Sequence, residues 1–202
     1  FWGSSSNRYL YVQDAEGPWN GVVCFEYGGW GTFDFISSAG IVHSVAEGDS
    51  VTVTGTVDEY YGLTQIVDVT DVIIYGPAVN MISPAVVTPG QVMTGGSDAE
   101  AYEGCLVKVE NIVVDDPDLG YGEWSASDGT NSVRLDDVWD YYYYPENDQS
   151  LAEVSGVMTY SHSNSKLLPR LARDIVEADG DPVRLQRIQQ VLYSDLIKAG
   201  ED

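Results

Sequence analysis

A short pattern occurs twice in this chain, and the repeat limits its fold more than any other feature. Val53-Thr54-Gly55-Thr56-Val57 matches Val154-Ser155-Gly156-Val157-Met158 at an offset of 101 residues (156 minus 55). Gln65-Ile66 matches Lys166-Leu167 at the same offset. Self-similarity at a fixed spacing indicates that one structural unit is used more than once. The chain is therefore predicted to contain two copies of one module.

Apolar and polar residues alternate in Tyr9–Gln13, Val51–Val57 and Leu106–Val113, which is typical of β strands with one buried face. In the second copy, four segments are predicted to be strands one to four: Cys105–Val114, Glu123–Ser127, Ser132–Asp136 and Leu151–Tyr160. Lys166–Ala178 is predicted to run from strand four to strand five. A glycine inside the fourth segment fits the bend at which a small barrel closes. The predicted fold class is all-β: two tandem Greek-key barrels like the OB fold, with a C-terminal extension.

Several of these motifs resemble the tandem OB-fold modules of secreted bacterial proteins, including YhcR-like extracellular nucleases. The matching stretches are Leu10–Gly21, Gly48–Val57, Tyr60–Ile66, Ala101–Gly104, Leu106–Asn111 and Leu168–Arg170. The resemblance implies an extracellular or cell-surface location. It also implies a non-catalytic role, because such modules accompany catalytic domains rather than being them.

The predicted organisation is an OB-like domain at 1–80, a linker at 81–103, a second OB-like domain at 104–180 and a tail at 181–202. The turn at Asp14 matches the turn at Asp128 at an offset of 114, which projects the strand Cys105–Val114 to positions before Phe1. The first domain is therefore expected to lack its own first strand. Because that strand pairs on both sides in such a barrel, its absence leaves two edges of unpaired backbone groups.

The tail is amphipathic and has no module of its own to join. Its candidate subunit-interface residues are Val183, Arg184, Leu185, Arg187, Ile188, Val191, Leu192 and Leu196. Their spacing fits a strand and a helix equally well. Residues 1–159 hold three basic and 25 acidic residues, a net charge of −22, whereas residues 160–202 hold six and seven, a net charge of −1. The tail is thus a complementary partner for the acidic body.

These features predict a structural subunit of an extracellular filament or sheath, in which the tail of one copy completes the first domain of the next. Such a head-to-tail contact is able to propagate into a homopolymer. Two other sources of the missing strand remain. It could lie upstream in a longer chain of tandem modules, which also fits a sequence that starts at Phe1, or the tail of the same chain could supply it. The alternative function is a non-catalytic module of a larger secreted nuclease or adhesin that binds nucleic acid or glycan.

Composition limits the partners and the chemistry. With 32 acidic and 9 basic residues, the net charge is −23, so nucleic acid is disfavoured because phosphate contacts need a basic footprint. Abundant tyrosine and tryptophan keep glycan as a candidate partner. No segment approaches the roughly 18 apolar residues of a membrane span. His43 and His162 have no metal-ligand spacing, and neither a P-loop nor a nucleophile elbow is present, so the chain is not expected to be an enzyme.

Acidic loops and two cysteines complete the set of candidate site residues. Asp14, Glu16, Asp136 and Asp137 are candidate ligands for Ca²⁺, the cation that prefers carboxylate oxygens. Ca²⁺ is the only cofactor that the sequence suggests, and no twelve-residue EF-hand loop is present. Cys24 and Cys105 are candidates for a disulfide within the chain or between subunits, or they are buried thiols.

Overall fold

A computed structural model describes residues 7–27, 34–36, 42–139 and 143–179. These residues are mostly β strand, so the all-β prediction is confirmed. The strands are β1 (Asn7–Gln13), β2 (Gly21–Tyr27), β3 (Asp34–Ile36), β4 (Val42–Ser44), β5 (Asp49–Tyr60), β6 (Leu63–Pro77), β7 (Ala85–Val86), β8 (Leu106–Gly120), β9 (Glu123–Ser127), β10 (Ser132–Asp136), β11 (Ser150–Ser161), β12 (Asn164–Leu168) and β13 (Ile175–Glu177). A helical turn, α1 (Pro89–Val92), and a 3₁₀ turn at Ala172–Asp174 complete the described elements. No helix in these ranges is long and apolar enough to cross a bilayer.

The N-terminal sheet has the strand order β1-β2-β6-β5. β1 and β2 are antiparallel, β2 and β6 are parallel, and β5 and β6 form a long antiparallel hairpin. Strands β3 and β4 form a separate two-stranded ribbon. The buried core of this sheet is small and consists of Leu10, Cys24, Val45, Val69 and Val72.

The C-terminal sheet has the order β13-β11-β12-β10-β9-β8-β7, and β8 also pairs with β11. Strands β8, β9, β10, β12 and β11 therefore pair in a closed circuit. Alternation places Trp124, Val133 and Leu135 on the inside of this circuit, where they join a larger core that includes Leu167. This core is the main source of hydrophobic stabilisation in the described part of the chain.

The two sheets pair their strands in the same register. Val57 lies opposite Ile66, and Met158 lies opposite Leu167, 101 residues later. The parallel pairs correspond as well, because Cys24 faces Ile66 and Leu135 faces Leu167. The offset read from the sequence therefore places residues at the same strand positions in both hairpins.

The glycine of the repeated pattern has the same role in both hairpins. A Cβ added to Gly55 would lie 2.8 Å from the carbonyl oxygen of Val67, and one added to Gly156 would lie 2.3 Å from that of Leu168. Both distances are shorter than a carbon–oxygen contact allows. Only glycine lets the two strands of each hairpin approach this closely.

Two segments differ from the simplest sequence interpretation. The stretch Lys166–Ala178, predicted to run from strand four to strand five, contains the end of β12 at Leu168 and all of β13, which begins at Ile175. Pro169 follows β12, and proline cannot donate a ladder hydrogen bond. The segment 81–103, predicted as a linker, contains β7 and α1, and buries Val87 and Val92 in the C-terminal core.

Candidate functional site

The outer edges of the N-terminal sheet are the first candidate site. Strands β1 and β5 occupy positions equivalent to β9 and β11, since the registers above align the two sheets. Both β9 and β11 pair with β8. In the described residues, no strand pairs with the outer side of β1 or of β5. We call these two edges the acceptor edges.

Burial differs sharply between equivalent residues at this site. Val57 on β5 is 73% exposed, whereas Met158, its counterpart on β11, is 1% exposed. Met158 joins the core that β8 closes, and its backbone N–H donates to the carbonyl of Cys105 at 3.0 Å. An apolar side chain is therefore exposed at the acceptor edge, whereas its counterpart is buried inside the closed circuit.

The second candidate site is a cleft of about 750 Å³ between the two sheets. We call it the inter-sheet cleft. From the N-terminal sheet it is lined by Tyr9, Tyr11 and Leu63. The C-terminal sheet contributes Leu119, Tyr121, Glu123, Arg134, Asp136, Val138, Thr159, Tyr160, Ser161, His162, Asn164, Lys166 and Leu168. Two hairpin tips, β8–β9 and β11–β12, thus stand at its border.

A charged cluster forms one wall of the inter-sheet cleft. Lys166 binds Asp136 at 2.9 Å and also pairs with Glu123, which in turn pairs with Arg134. The register places Arg134 beside Lys166 and Asp136 beside Glu123 on adjacent strands. The Lys166 side chain is only 3% exposed, and a buried ammonium of this kind is tolerated because two carboxylates neutralise it.

The two carboxylates of the cluster titrate differently. Burial raises the pKa of Asp136 above its usual value, although the Lys166 ammonium opposes this effect. Burial also acts to raise the pKa of Glu123, but hydrogen bonds from Lys166 and Arg134 outweigh it and hold this pKa below its usual range. Glu123 is thus the carboxylate that remains ionised most firmly.

Tyr11 places the N-terminal sheet against the opposite wall of the cleft. Its hydroxyl donates a 3.0 Å hydrogen bond to the Thr159 hydroxyl, and its ring packs edge-to-face on Trp139 with centroids 5.7 Å apart. Burial raises the pKa of the Tyr11 phenol. The cleft therefore has a fixed wall on each side.

Further contacts hold the two sheets together. The Gln13 side-chain oxygen accepts from the Leu106 N–H at 2.8 Å, and Glu103 accepts from the Thr64 N–H at 2.8 Å. The backbones touch where a Cβ on Gly21 would lie 2.3 Å from the carbonyl carbon of Gly104. This close approach requires glycine.

The four candidate calcium ligands do not come together. Glu16 accepts from the Ser83 N–H at 3.2 Å in the turn after β1, whereas Asp136 pairs with Lys166. Asp137 packs against Gly122, and Asp14 donates its N–H to Asn20. In the part of the chain that the structure covers, no group of three or more histidine, cysteine or acidic residues is placed to hold a metal ion. The calcium prediction therefore gains no ligand cluster from these residues.

The structure places the cysteines in different cores and leaves both unbridged. Cys24 lies in the N-terminal core and Cys105 in the C-terminal core, and neither is exposed. Burial raises the pKa of the Cys24 thiol to about 12, and burial also raises that of Cys105. In the fold described here, both behave as small apolar core residues.

The predicted interface residues of the tail, from Val183 to Leu196, lie outside the described residues. The sequence did not single out the charged cluster. Its only signal was that Arg134 and Lys166, two of just nine basic residues, occur on predicted strands. Their proximity depends on strand pairings that composition does not reveal.

Comparisons with known proteins give no relative. No family model matches the chain, and neither the curated proteins nor the solved structures contain a match.

Proposed function

We propose that the protein is a non-enzymatic structural subunit that assembles head to tail into an extracellular filament or sheath. In this proposal both halves are OB-like modules, and the N-terminal one takes a β strand from a neighbouring subunit. The observation that carries the proposal is the pair of acceptor edges. β1 and β5 are edges in one sheet, while their counterparts in the other sheet share the strand β8.

Two contributions favour insertion of a strand between β1 and β5: backbone hydrogen bonds and burial of Val57. A strand inserted between β1 and β5 satisfies backbone groups on both sides, as β8 does in the C-terminal sheet. It also covers Val57, which is 73% exposed, and burial of apolar surface contributes about 25 cal/mol per Å². Such an insertion combines many hydrogen bonds with a new apolar contact.

The proposed donor is the segment 183–197 of a second copy. It is amphipathic, carries Arg184 and Arg187, and belongs to the near-neutral part of a chain whose first 159 residues have a net charge of −22. The segment itself has two arginines and one acid, Asp195, so its net charge of +1 favours encounter with the acidic surface. A donor on another copy gives a heterologous contact, which forms an open polymer unless its rotation closes a ring.

Electron microscopy and light scattering of the full chain, and of a chain truncated after Gly180, test this proposal. We expect polymers from the full chain and monomers from the truncated one, which then binds an added peptide of residues 181–202. A full chain that stays monomeric at all concentrations would falsify the proposal.

Val57→Asp provides the point test, with Val79→Asp as its control. Both valines are exposed, at 73% and 98%, but only Val57 lies on an acceptor edge. We expect Val57→Asp to weaken association at least tenfold, because the inserted strand would bury a carboxylate. Val79→Asp should assemble normally, and equal polymerisation of both variants would contradict the placement of the strand.

A further inference from the structure

The inter-sheet cleft shares strand β1 with the acceptor edges, because Tyr9 and Tyr11 line it, but its chemistry is different. Its size falls within the range of roughly 300–1,000 Å³ that is usual for small-molecule sites. Tyrosine rings stand at its border, and the charged cluster forms its wall. We propose that this cleft binds a neutral oligosaccharide.

Tyr121 is an exposed residue with a positive φ at the border of the cleft. It lies at the tip of the β8–β9 hairpin with φ 58°, and Gly122 follows with φ 83°. Turns of this shape favour asparagine or glycine at the first position, and a bulky residue there is strained. The Tyr121 side chain is 99% exposed, so it contributes little to the core. Because Tyr121 also lines the cleft, its ring is available to contact a ligand there.

Aromatic rings suit the apolar faces of a sugar. Tyr9 and Tyr160 line the same cleft as Tyr121, so rings from both sheets border one space. A pyranose ring presents C–H groups on its faces and hydroxyls at its edge. Flat aromatic side chains bury the faces at a low entropic cost, because they have few rotatable bonds.

The charged wall indicates a neutral ligand. Both cations that line the cleft, Arg134 and Lys166, are paired with carboxylates. An anionic ligand would lie close to the Glu123 and Asp136 carboxylates, and the two cations that could attract it are already neutralised, so its charge is disfavoured there. Sugar hydroxyls both donate and accept, so they add hydrogen bonds to the carboxylates and to Arg134 without breaking the pairs.

Nucleic acid fits this cleft poorly. The first 159 residues carry a net charge of −22, and a phosphate backbone approaching them meets strong repulsion. A purely apolar ligand fits poorly too, because it would cover the Glu123 and Asp136 carboxylates without replacing their contacts with water. A neutral polyhydroxylated molecule avoids both costs.

Calorimetric titration of the full chain with cellohexaose, xylohexaose, maltohexaose and chitohexaose tests the proposal. We expect at least one of these sugars to bind, and Tyr121→Asn to weaken that binding roughly five- to tenfold. Asparagine is the favoured residue at this turn position, so the variant keeps the fold. Thermal unfolding verifies this.

Tyr61→Asn is the matched control. Tyr61 also occupies a hairpin turn at φ 51°, is followed by a glycine and is 84% exposed, but it does not line the cleft. Its replacement should leave sugar affinity unchanged. The proposal is overturned if none of the four sugars binds at millimolar concentration, if both variants lose affinity equally, or if oligothymidylate binds the cleft more tightly than any sugar. Polymer formation is measured separately, so failure here leaves the assembly proposal standing.

Discussion

At the residue scale, burial determines how much an ion pair contributes to the stability of the fold. Lys166 and Lys108 both lie on strands of the C-terminal sheet, and each pairs with two carboxylates. The Lys166 side chain is 3% exposed, whereas that of Lys108 is 23% exposed. Water screens the ion pairs of Lys108, whereas it is excluded from those of Lys166. The two lysines therefore form a matched pair for measurement.

Lys166→Met is expected to lower the free energy of unfolding by about 3 kcal/mol, because it leaves Glu123 and Asp136 without their shared cation. Lys108→Met should cost less than about 1 kcal/mol, since its partners remain hydrated. Urea unfolding measures both values. The loss for Lys166→Met should shrink in acid, where the abandoned carboxylates take up protons. Equal losses for the two variants would show that burial of the cluster is not what matters.

At the element scale, alternation predicted strands well where one face of the strand is buried. β9 and β10 begin and end where the sequence places them, because Trp124, Ala126, Val133 and Leu135 point inward while their neighbours do not. Periodicity failed beyond Leu168, where the chain leaves the sheet and returns at Ile175. Pro169 marks the exit from the sheet in the sequence, whereas the return at Ile175 depends on pairing with β11, which the local pattern does not show.

The two candidate sites also differ in how far the sequence predicted them. The prediction that the N-terminal sheet takes a strand from elsewhere came from the offset alone, because a repeat shows which strand should precede β1. The inter-sheet cleft was not inferred, although the abundance of tyrosine and tryptophan kept glycan as a candidate partner. It arises where β1 packs on β11 through Tyr11 and Thr159, a contact between residues 148 positions apart. Nothing in the local sequence encodes such a contact.

The element scale also gives a prediction for the close approach at Gly156 in β11. Gly156→Ala should lower the free energy of unfolding by about 2 to 3 kcal/mol, because the new Cβ would press on the Leu168 backbone. Ser155→Ala, one residue earlier on the same strand, adds no atom and is the control. Chemical denaturation compares the two. A mild effect of Gly156→Ala would mean that the β11–β12 hairpin relaxes more easily than its geometry suggests.

At the scale of the whole molecule, the two sheets are joined by polar contacts that include a titrating group. Glu103, from the segment before β8, accepts from Thr64 at the start of β6. Burial, together with the nearby Glu100 and Glu59 carboxylates, raises the pKa of Glu103 to about 7 from an ordinary value of 4.5. The junction between the sheets therefore changes charge near neutrality.

The direction of the pH effect follows from that pKa. The folded chain holds the Glu103 proton more tightly than the unfolded chain, so this group stabilises the fold in acid and loses its contribution as pH rises from about 4.5 to 7. Glu103→Gln retains an oxygen for Thr64 and removes the titration. We expect the variant to be more stable than the natural chain above pH 7, by about 1 kcal/mol, because Glu103 is only half-buried and solvent reduces the effect of its shifted pKa.

Urea midpoints measured across this pH range check the expectation. Because other carboxylates titrate in both proteins, the informative quantity is the difference between the two curves. That difference should open between about pH 4.5 and 7 and be constant on either side. Parallel curves would mean that Glu103 is hydrated in the folded protein.

The separation of Cys24 and Cys105 has a practical consequence for this two-part architecture. Each half contains one cysteine, and its thiol is buried, so a reagent in solution reaches it only when the surrounding core opens. The rate at which an alkylating probe modifies Cys24 therefore reports opening of the N-terminal core, whereas modification of Cys105, which lies against the Gly21 backbone, reports opening of the C-terminal core or of the junction between the sheets. The chain thus carries an internal label in each half, with no need to introduce one.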